Sequence, residues 1–220
     1  MILDYSQLNE KDFFNQLLQD AGTAYSQCDV IKLNSNWSYS VCGTPIIKKQ
    51  GVILGLNWGG GKSENFAPQN VYPAGDDIEK YPFIMKIRPF LKEHLHVQDI
   101  KTINYSNLCF FRSPKVQDLT EGDWDCSRHL IQKYITYIEP AWILFLSTNI
   151  DQAIKSLELE FLESPKVISY KTYTAYRGIS KITGQKIPFY ALPHPNARLQ
   201  YNIRQQLWNL VLPIKTSDNG

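Results

Sequence analysis

Two stretches of this sequence place a polar side chain beside glycine or proline at the end of an apolar run. The first is Gly55-Leu56-Asn57, which follows an apolar run rich in β-branched residues, Val52 to Leu54, and is followed after Trp58 by three glycines. A buried strand that ends in glycines and a polar side chain is typical of the ligand site at the carboxyl edge of an open α/β sheet. Glycine lets a substrate approach the backbone closely, because no Cβ lies in the way. The pattern predicts a binding site at Asn57, although an ordinary strand and flexible turn would give the same pattern.

The second stretch is Pro193-His194-Pro195, which follows the apolar run from Ile187 to Leu192. The two prolines hold the backbone around the histidine stiffly. A lone histidine is more often structural than catalytic. A histidine clamped between prolines at a strand end, in a sheet whose first strand ends in Gly-x-Asn, indicates a functional role instead.

Other chemistries fit the sequence less well. The run GGGKS at residues 59–63 ends like a phosphate-binding loop, but five residues instead of four separate Gly55 from Gly61, and no good helix follows. His94 and His96 are two apart and point to different faces of a helix, and the four cysteines contain no CxxC pair. We therefore expect no metal site and no cofactor.

Size and composition favour a single globular domain. The chain has 220 residues, of which 43% are hydrophobic, and a net charge of +2, which permits a nucleic-acid partner without requiring one. No apolar run reaches the roughly 18 residues of a membrane span, and the first residues do not resemble a secretory signal. We expect a soluble, cytoplasmic monomer with no membrane partner.

Periodicity predicts strands that alternate with helices. Helices are predicted from Asn9 to Gly22, over Tyr81–Leu95 and Asp125–Ile138, from Asp151 to Leu159 and over Tyr201–Leu212. The spacing of Phe83, Ile84, Ile87 and Leu91 predicts the core face of the second of these helices. Strands are predicted from Gly51 onward and over Ile100–Phe111, Ala141–Leu146, Lys166–Tyr176 and Ile187–Leu192. Apolar strands that alternate with helices indicate a mainly parallel sheet covered on both faces. The predicted fold is one three-layer α/β domain over residues 1–220, with residues 1–50 as a helical or irregular lead-in.

Three short motifs together resemble the uracil-DNA glycosylase superfamily, nearest its single-strand-selective and mismatch-specific branches. Those branches carry Gly-x-Asn-Pro-Gly, where this chain has GLNWG at residues 55–59. The family's second motif opens His-Pro-Ser, where this chain has HPN at residues 194–196. Between them the single-strand-selective branch has Asn-Leu-Cys at a strand end, as at residues 107–109 here. The resemblance implies a uracil-DNA glycosylase-like fold.

The resemblance also implies an activity, namely hydrolysis of the N-glycosidic bond of uracil or a related altered base flipped out of single- or double-stranded DNA. It makes Asn57 and His194 the catalytic residues. Asn57 would hold the attacking water, and His194 would donate a hydrogen bond to the base oxygen as charge develops there. Asn107 would offer a donor and an acceptor to the edge of a pyrimidine.

The rest of the substrate pocket is predicted around the first motif. Gly55 and Trp58 are expected to line the pocket. Tyr72, about fifteen residues past Asn57, is the predicted ring that stacks on the base, with Phe66 as the second choice. Core packing is the alternative role for each aromatic side chain.

The loop after the second motif predicts DNA contacts. Superfamily members fill the hole left by the flipped base with a side chain from this loop, and apolar wedges are the common solution. Leu199 is the predicted wedge, and Arg198 is predicted to contact a phosphate or the orphaned partner base. The alternative is that Leu199 begins the core face of the last helix.

Departures from the family pattern keep other functions open. Trp58 replaces the usual proline and Asn196 the usual serine, so the pocket could suit another base or none. Cys28 and Cys42 do not have the spacing of the superfamily's iron–sulfur branches. A member of the same fold that binds nucleic acid or a modified base without cleavage is one alternative. A small-molecule enzyme on a generic α/β sheet is another.

Overall fold

The computed structural model describes residues 5–30, 38–59, 67–76, 78–161, 166–169 and 172–212. The α-helices within these residues are α1 (Glu10–Gln27), α2 (Pro82–Leu95), α3 (Glu121–Ile138), α4 (Asp151–Leu157) and α5 (Tyr201–Val211). The strands are β1 (Val52–Trp58), β2 (Asn104–Arg112), β3 (Ile143–Phe145), β4 (Leu159–Phe161), β5 (Lys166–Ser169), β6 (Thr172–Ser180) and β7 (Ile187–Ala191). None of the described helices has the length and apolar character needed to cross a membrane.

Four neighbouring strands form a parallel unit. The strand order is β2-β1-β3-β7-β6-β4, and β5 pairs with β6 beside this path. β1 is parallel to β2 and β3, and β3 is parallel to β7, whereas β6 is antiparallel to β4, β5 and β7. The predicted α/β architecture is confirmed, and its parallel sheet extends from β2 to β7.

The antiparallel extension differs from the prediction. One strand was expected over Lys166–Tyr176, but two antiparallel strands, β5 and β6, share that stretch. The helix expected to run through Leu159 ends at Leu157, because Glu158 takes a left-handed conformation with φ 51°. Leu159 is instead the first residue of β4. Strands of three or four residues are too short for their alternation to be distinguished from other patterns.

Helices cover both faces of the sheet, as a three-layer domain requires. α1, α3 and α4 pack on one face against alternate residues of β1, Val52 and Leu54. α2 and α5 pack on the other face, against Ile53. We call these the first and second core clusters. They lie on opposite faces because successive side chains of a strand point to opposite sides.

α1 begins as predicted but ends later. The Asn9 side chain accepts a hydrogen bond from the Asp12 backbone N–H at 2.9 Å, which confirms it as the N-cap. Gly22, the predicted terminator, lies inside the helix, which continues to Gln27. A Cβ at position 22 would lie 2.5 Å from the Tyr39 hydroxyl, so this glycine makes room for the Tyr39 side chain.

Candidate functional site

The parallel strands bring three predicted polar residues to one edge of the sheet. Asn57 and Asn107 lie in β1 and β2, and His194 lies just after the carboxyl end of β7. Only β3 separates β1 from β7, so the strands that carry Asn57 and His194 are about 10 Å apart at the usual spacing. The carboxyl edge of a parallel sheet is where α/β proteins bind ligands.

Asn107 is a buried amide with an unused donor. It is 2% exposed, and its Nδ2 has no hydrogen-bond partner among the described residues. It lies directly opposite Gly55 in the register of β1 and β2. A Cβ on Gly55 would come within 2.1 Å of the Asn107 Oδ1, so the glycine makes room for the amide.

Asn57 is oriented by Ser113, a residue that sequence reasoning missed. The Asn57 Nδ2 donates to the Ser113 Oγ at 2.8 Å, and that hydroxyl donates to the Lys115 carbonyl at 2.8 Å. The strand register shifts between Asn57 and Trp58, and such bulges re-aim side chains. Because the amide nitrogen is occupied by Ser113, the amide oxygen of Asn57 is the group suited to accept a hydrogen bond from water.

The tautomer of His194 follows from its hydrogen bond. The Asn196 backbone N–H donates to the His194 Nδ1 at 3.1 Å, so Nδ1 carries a lone pair and the neutral ring carries its proton on Nε2. Although the residue as a whole is exposed, partial desolvation of the ring lowers the pKa of His194, and the cations Lys86 and Arg204 lower it further. The neutral imidazole with an Nε2–H donor is therefore the form present at neutral pH.

Arg204 on α5 fixes the loop that carries this histidine. The guanidinium is 9% exposed and donates to the carbonyls of Pro195 at 3.0 Å and Ala197 at 3.4 Å. The Ala197 N–H in turn donates to the His194 carbonyl at 2.8 Å. No sequence signal indicated this role, because a single arginine in a helix is usually a surface residue.

A row of aromatic rings connects His194 with the end of β1. Phe83 on α2 lies 6.2 Å from the His194 ring and 5.5 Å from Tyr105, measured between ring centroids. Tyr105 in turn meets Trp58 edge-on at 5.4 Å. Burial raises the pKa of Tyr105, and the Asn107 amide lies close enough to the phenol to oppose that rise, although no hydrogen bond of normal geometry joins the amide nitrogen to it. Phe83 was assigned to the core face of a helix, so its contact with His194 was not anticipated.

Tyr72, the predicted stacking residue, borders the cavity beside Trp58, but its ring packs toward the other face of the sheet. Tyr72 packs edge-on against Phe14 of α1 at 5.3 Å, on the side of the first core cluster, and its hydroxyl accepts a hydrogen bond from the Ile46 N–H at 2.8 Å. His194 contacts the ring of Phe83 in the second cluster. The second choice, Phe66, lies outside the described residues.

The two residues predicted to contact DNA differ in environment. Arg198 is exposed, as a phosphate contact requires. Leu199 is half-buried and packs against the second core cluster, and its backbone N–H donates to the Ala197 carbonyl at 2.8 Å. Leu199 thus has core contacts of the kind expected from the alternative interpretation.

Two cavities adjoin this edge of the sheet. One has a volume of about 320 Å³ and is bordered by His194 and by hydroxyl groups of Ser147, Thr148 and Tyr173. The other, about 440 Å³, is bordered by Trp58, whose indole N–H is buried and has no hydrogen-bond partner among the described residues. Both volumes are in the range of small-molecule sites.

The cysteines are free thiols, three of them buried. Burial raises the pKa of Cys109 to about 12, so this thiol stays protonated at neutral pH. Within the described ranges, no group of three or more His, Cys, Asp or Glu side chains is arranged to hold a metal ion.

The chain matches no protein-family model and no curated protein sequence.

Proposed function

We propose that this chain is a member of the uracil-DNA glycosylase superfamily and removes uracil or a related altered base from DNA by hydrolysis. The observation that carries the proposal is the unpartnered amide of Asn107 at the carboxyl edge. A buried donor without a partner costs about 1–3 kcal/mol. A base carbonyl that accepts from this amide would remove that cost, so the folded site favours such a ligand.

The reaction breaks the bond between C1′ of the sugar and the base nitrogen, and the electron pair leaves with the base. Negative charge then builds on the base, and positive charge builds on the sugar. The His194 Nε2–H is available to donate to a base oxygen, because Nδ1 is occupied by the Asn196 N–H. A fixed donor aimed at developing charge typically contributes a factor of about 10²–10³ in rate.

Water completes the reaction by adding to C1′ and releasing its proton to solvent. The Asn57 amide oxygen would hold this water, since the amide nitrogen is bonded to Ser113. An amide is too weak a base to deprotonate water, which suits a reaction in which bond breaking precedes attack. The role of Asn57 is therefore positioning.

Phe83 replaces Tyr72 in this proposal as the ring next to the base. Its contacts with His194 and Tyr105 place it between the proposed donor and the Asn107 strand. The hydroxyl-lined cavity beside His194 would take part of the sugar-phosphate backbone. Arg198 is exposed and would contact a phosphate.

Oligonucleotides that each carry one altered base test the proposal. Uracil and other altered pyrimidines are placed in single strands and duplexes, and abasic sites are revealed by alkaline cleavage. We expect cleavage at uracil or a related pyrimidine, unaffected by chelator, and lost in Asn57→Ala. Binding of these oligonucleotides without cleavage would identify a binding protein on the same fold. Activity that requires a divalent ion would assign another class of enzyme.

A further inference from the structure

A cavity of about 900 Å³ lies at the opposite end of the sheet from Asn57. Its walls are the 3₁₀ turn Tyr5–Gln7, one face of α3, and the turn before β1 that contains Lys48 and Lys49. Because both lysines precede β1, the cavity opens at the amino edge of the parallel strands. It is therefore separate from the candidate site at the carboxyl edge.

Positive charge exceeds negative charge on the wall of this cavity. Lys48, Lys49 and Lys133 line it, together with one carboxylate, that of Glu139. Lys133 is neutralised by Asp20, with 2.7 Å between Nζ and Oδ2. Lys48 and Lys49 form no ion pair with a carboxylate of the described part of the chain. Two ammonium groups with no ion-pair partner therefore face one carboxylate on this wall, and the net positive charge attracts an anion.

The cationic turn is held in place by the end of α3. Lys49 has a left-handed backbone, φ 62°, and its N–H donates to the Ile138 carbonyl at 2.7 Å. The Lys48 Nζ lies 4.1 Å from the centroid of the Tyr137 ring, and that ring stacks on Phe13 at 3.6 Å. Because the turn and the ring are already fixed, binding would order few additional groups.

Neutralising the helix is the simplest alternative role for these lysines. The carboxyl end of α3 carries partial negative charge, which attracts cations. That effect explains a lysine near Ile138, but it does not explain a large cavity between the lysines, Tyr5 and α3. A structural role and a binding role also predict different results when the cavity is filled without a change of charge.

We propose that this cavity binds an organic phosphate of nucleotide size. The phosphate would lie between Lys48 and Lys49, and the apolar body would lie against the ring edges of Tyr5 and Tyr137. Lysine binds phosphate as a point charge, and the volume suits a ligand of this size. The site is independent of the proposed glycosylase activity.

Calorimetric titration of the full chain with adenosine monophosphate, inorganic phosphate and adenosine tests the proposal. We expect the monophosphate to bind most tightly and adenosine most weakly. Lys48→Glu/Lys49→Glu should weaken monophosphate binding at least about tenfold, since two attractions become repulsions. The matched control, Lys92→Glu/Lys186→Glu, makes the same change of charge at two exposed lysines elsewhere and should alter binding less than about twofold.

A second variant changes the cavity without changing its charge. Thr136 lies on the exposed face of α3 that lines the cavity, so Thr136→Trp should fill the space and weaken monophosphate binding about tenfold. Its melting temperature checks that it folds. Uracil release should be unchanged in all these variants, so the two proposals can fail separately.

Four outcomes would overturn the proposal. They are no binding of the monophosphate at millimolar concentration, equal losses in the Lys48/Lys49 variant and its control, full binding by Thr136→Trp, and binding of inorganic phosphate as tight as that of the monophosphate. Equally tight binding of inorganic phosphate would mean that the apolar walls of the cavity add nothing to the binding of the ligand.

Discussion

Two buried asparagines of β2, Asn104 at its first position and Asn107 three residues later, differ in their hydrogen bonds. At the amino end, the Asn104 Oδ1 accepts from the Ile47 N–H at 2.9 Å, and its Nδ2 donates to the carbonyls of Ile47 at 2.8 Å and Gly51 at 3.3 Å. Asn107 lies opposite Gly55, one register position beyond the end of β3, and its Nδ2 donates to no described group. The two residues share their type, their strand and their burial, so burial alone does not explain why the side-chain nitrogen of only one of them is hydrogen-bonded.

The difference separates a structural role from a binding role. Asn104 stabilises the fold by joining β2 to the turn that carries Lys48 and Lys49. The Asn107 Nδ2 makes no such bond within the described residues, and an unsatisfied buried donor requires an explanation, of which a ligand or catalytic role is one.

Removing the imidazole should have the largest effect on activity. His194→Ala should lower the rate of uracil release by about 10²–10³, because a donor to developing charge is lost. His96→Ala is the control. His96 is exposed and caps the carboxyl end of α2, whereas Phe83, which contacts His194, lies at the amino end of that helix. Single-turnover rates measure both. Equal rates for the two variants would remove His194 from the proposed site.

The two asparagines should respond to truncation in opposite ways. Asn107→Ala should lower uracil release by about 10- to 100-fold with little change in stability, because its amide nitrogen has no hydrogen-bond partner among the described residues. Asn104→Ala should lower the free energy of unfolding by about 2–4 kcal/mol, because it leaves the N–H and the carbonyl of Ile47 without their partner. Urea denaturation and rate measurements on both variants check this. Similar stability losses would make Asn107 a structural residue.

A methyl group on β1 should displace Asn107 indirectly. Gly55→Ala places a Cβ within 2.1 Å of the Asn107 Oδ1, so we expect about a tenfold loss of activity from misplaced hydrogen bonds. Gly59→Ala is the matched control, because no atom of the described residues lies within 4 Å of its added Cβ. The double variant Gly55→Ala/Asn107→Ala should be no slower than Asn107→Ala alone. Additive losses would show that Gly55 acts through another group.

Acidification should have the smallest effect. Protonation of Nδ1 breaks its bond to the Asn196 N–H, so activity should fall as pH drops through a pKa below the ordinary 6.5 of histidine. The folded pKa is the lower one, so the unfolded chain binds the proton more readily and stability also declines below about pH 6.5. His194→Ala should lose less stability between pH 7 and pH 5 than the wild type. A pH–rate midpoint above 6.5 would contradict this.

The sequence indicates the polar residues that follow apolar strands, but it does not indicate which distant segments come into contact. Asn57 and His194 were recognisable because glycines and prolines mark the points where their strands end. Ser113 and Arg204 gave no such signal, because each acts through a partner that only the folded chain brings close. The same holds for Phe83, whose helical spacing indicated core packing and not its additional contact with His194.

The most direct test of the account observes the two asparagine amides during binding. The side-chain ¹⁵N–¹H resonances of Asn104 and Asn107 are assigned from the alanine variants. They are then followed as a single-stranded oligonucleotide is added that carries 2′-fluoro-deoxyuridine, whose glycosidic bond resists cleavage. We expect the Asn107 amide resonances to shift as the amide gains a hydrogen bond to the base, while those of Asn104 stay in place. Saturated binding with no shift at Asn107 would contradict its assignment as the base contact, and with it the proposed site.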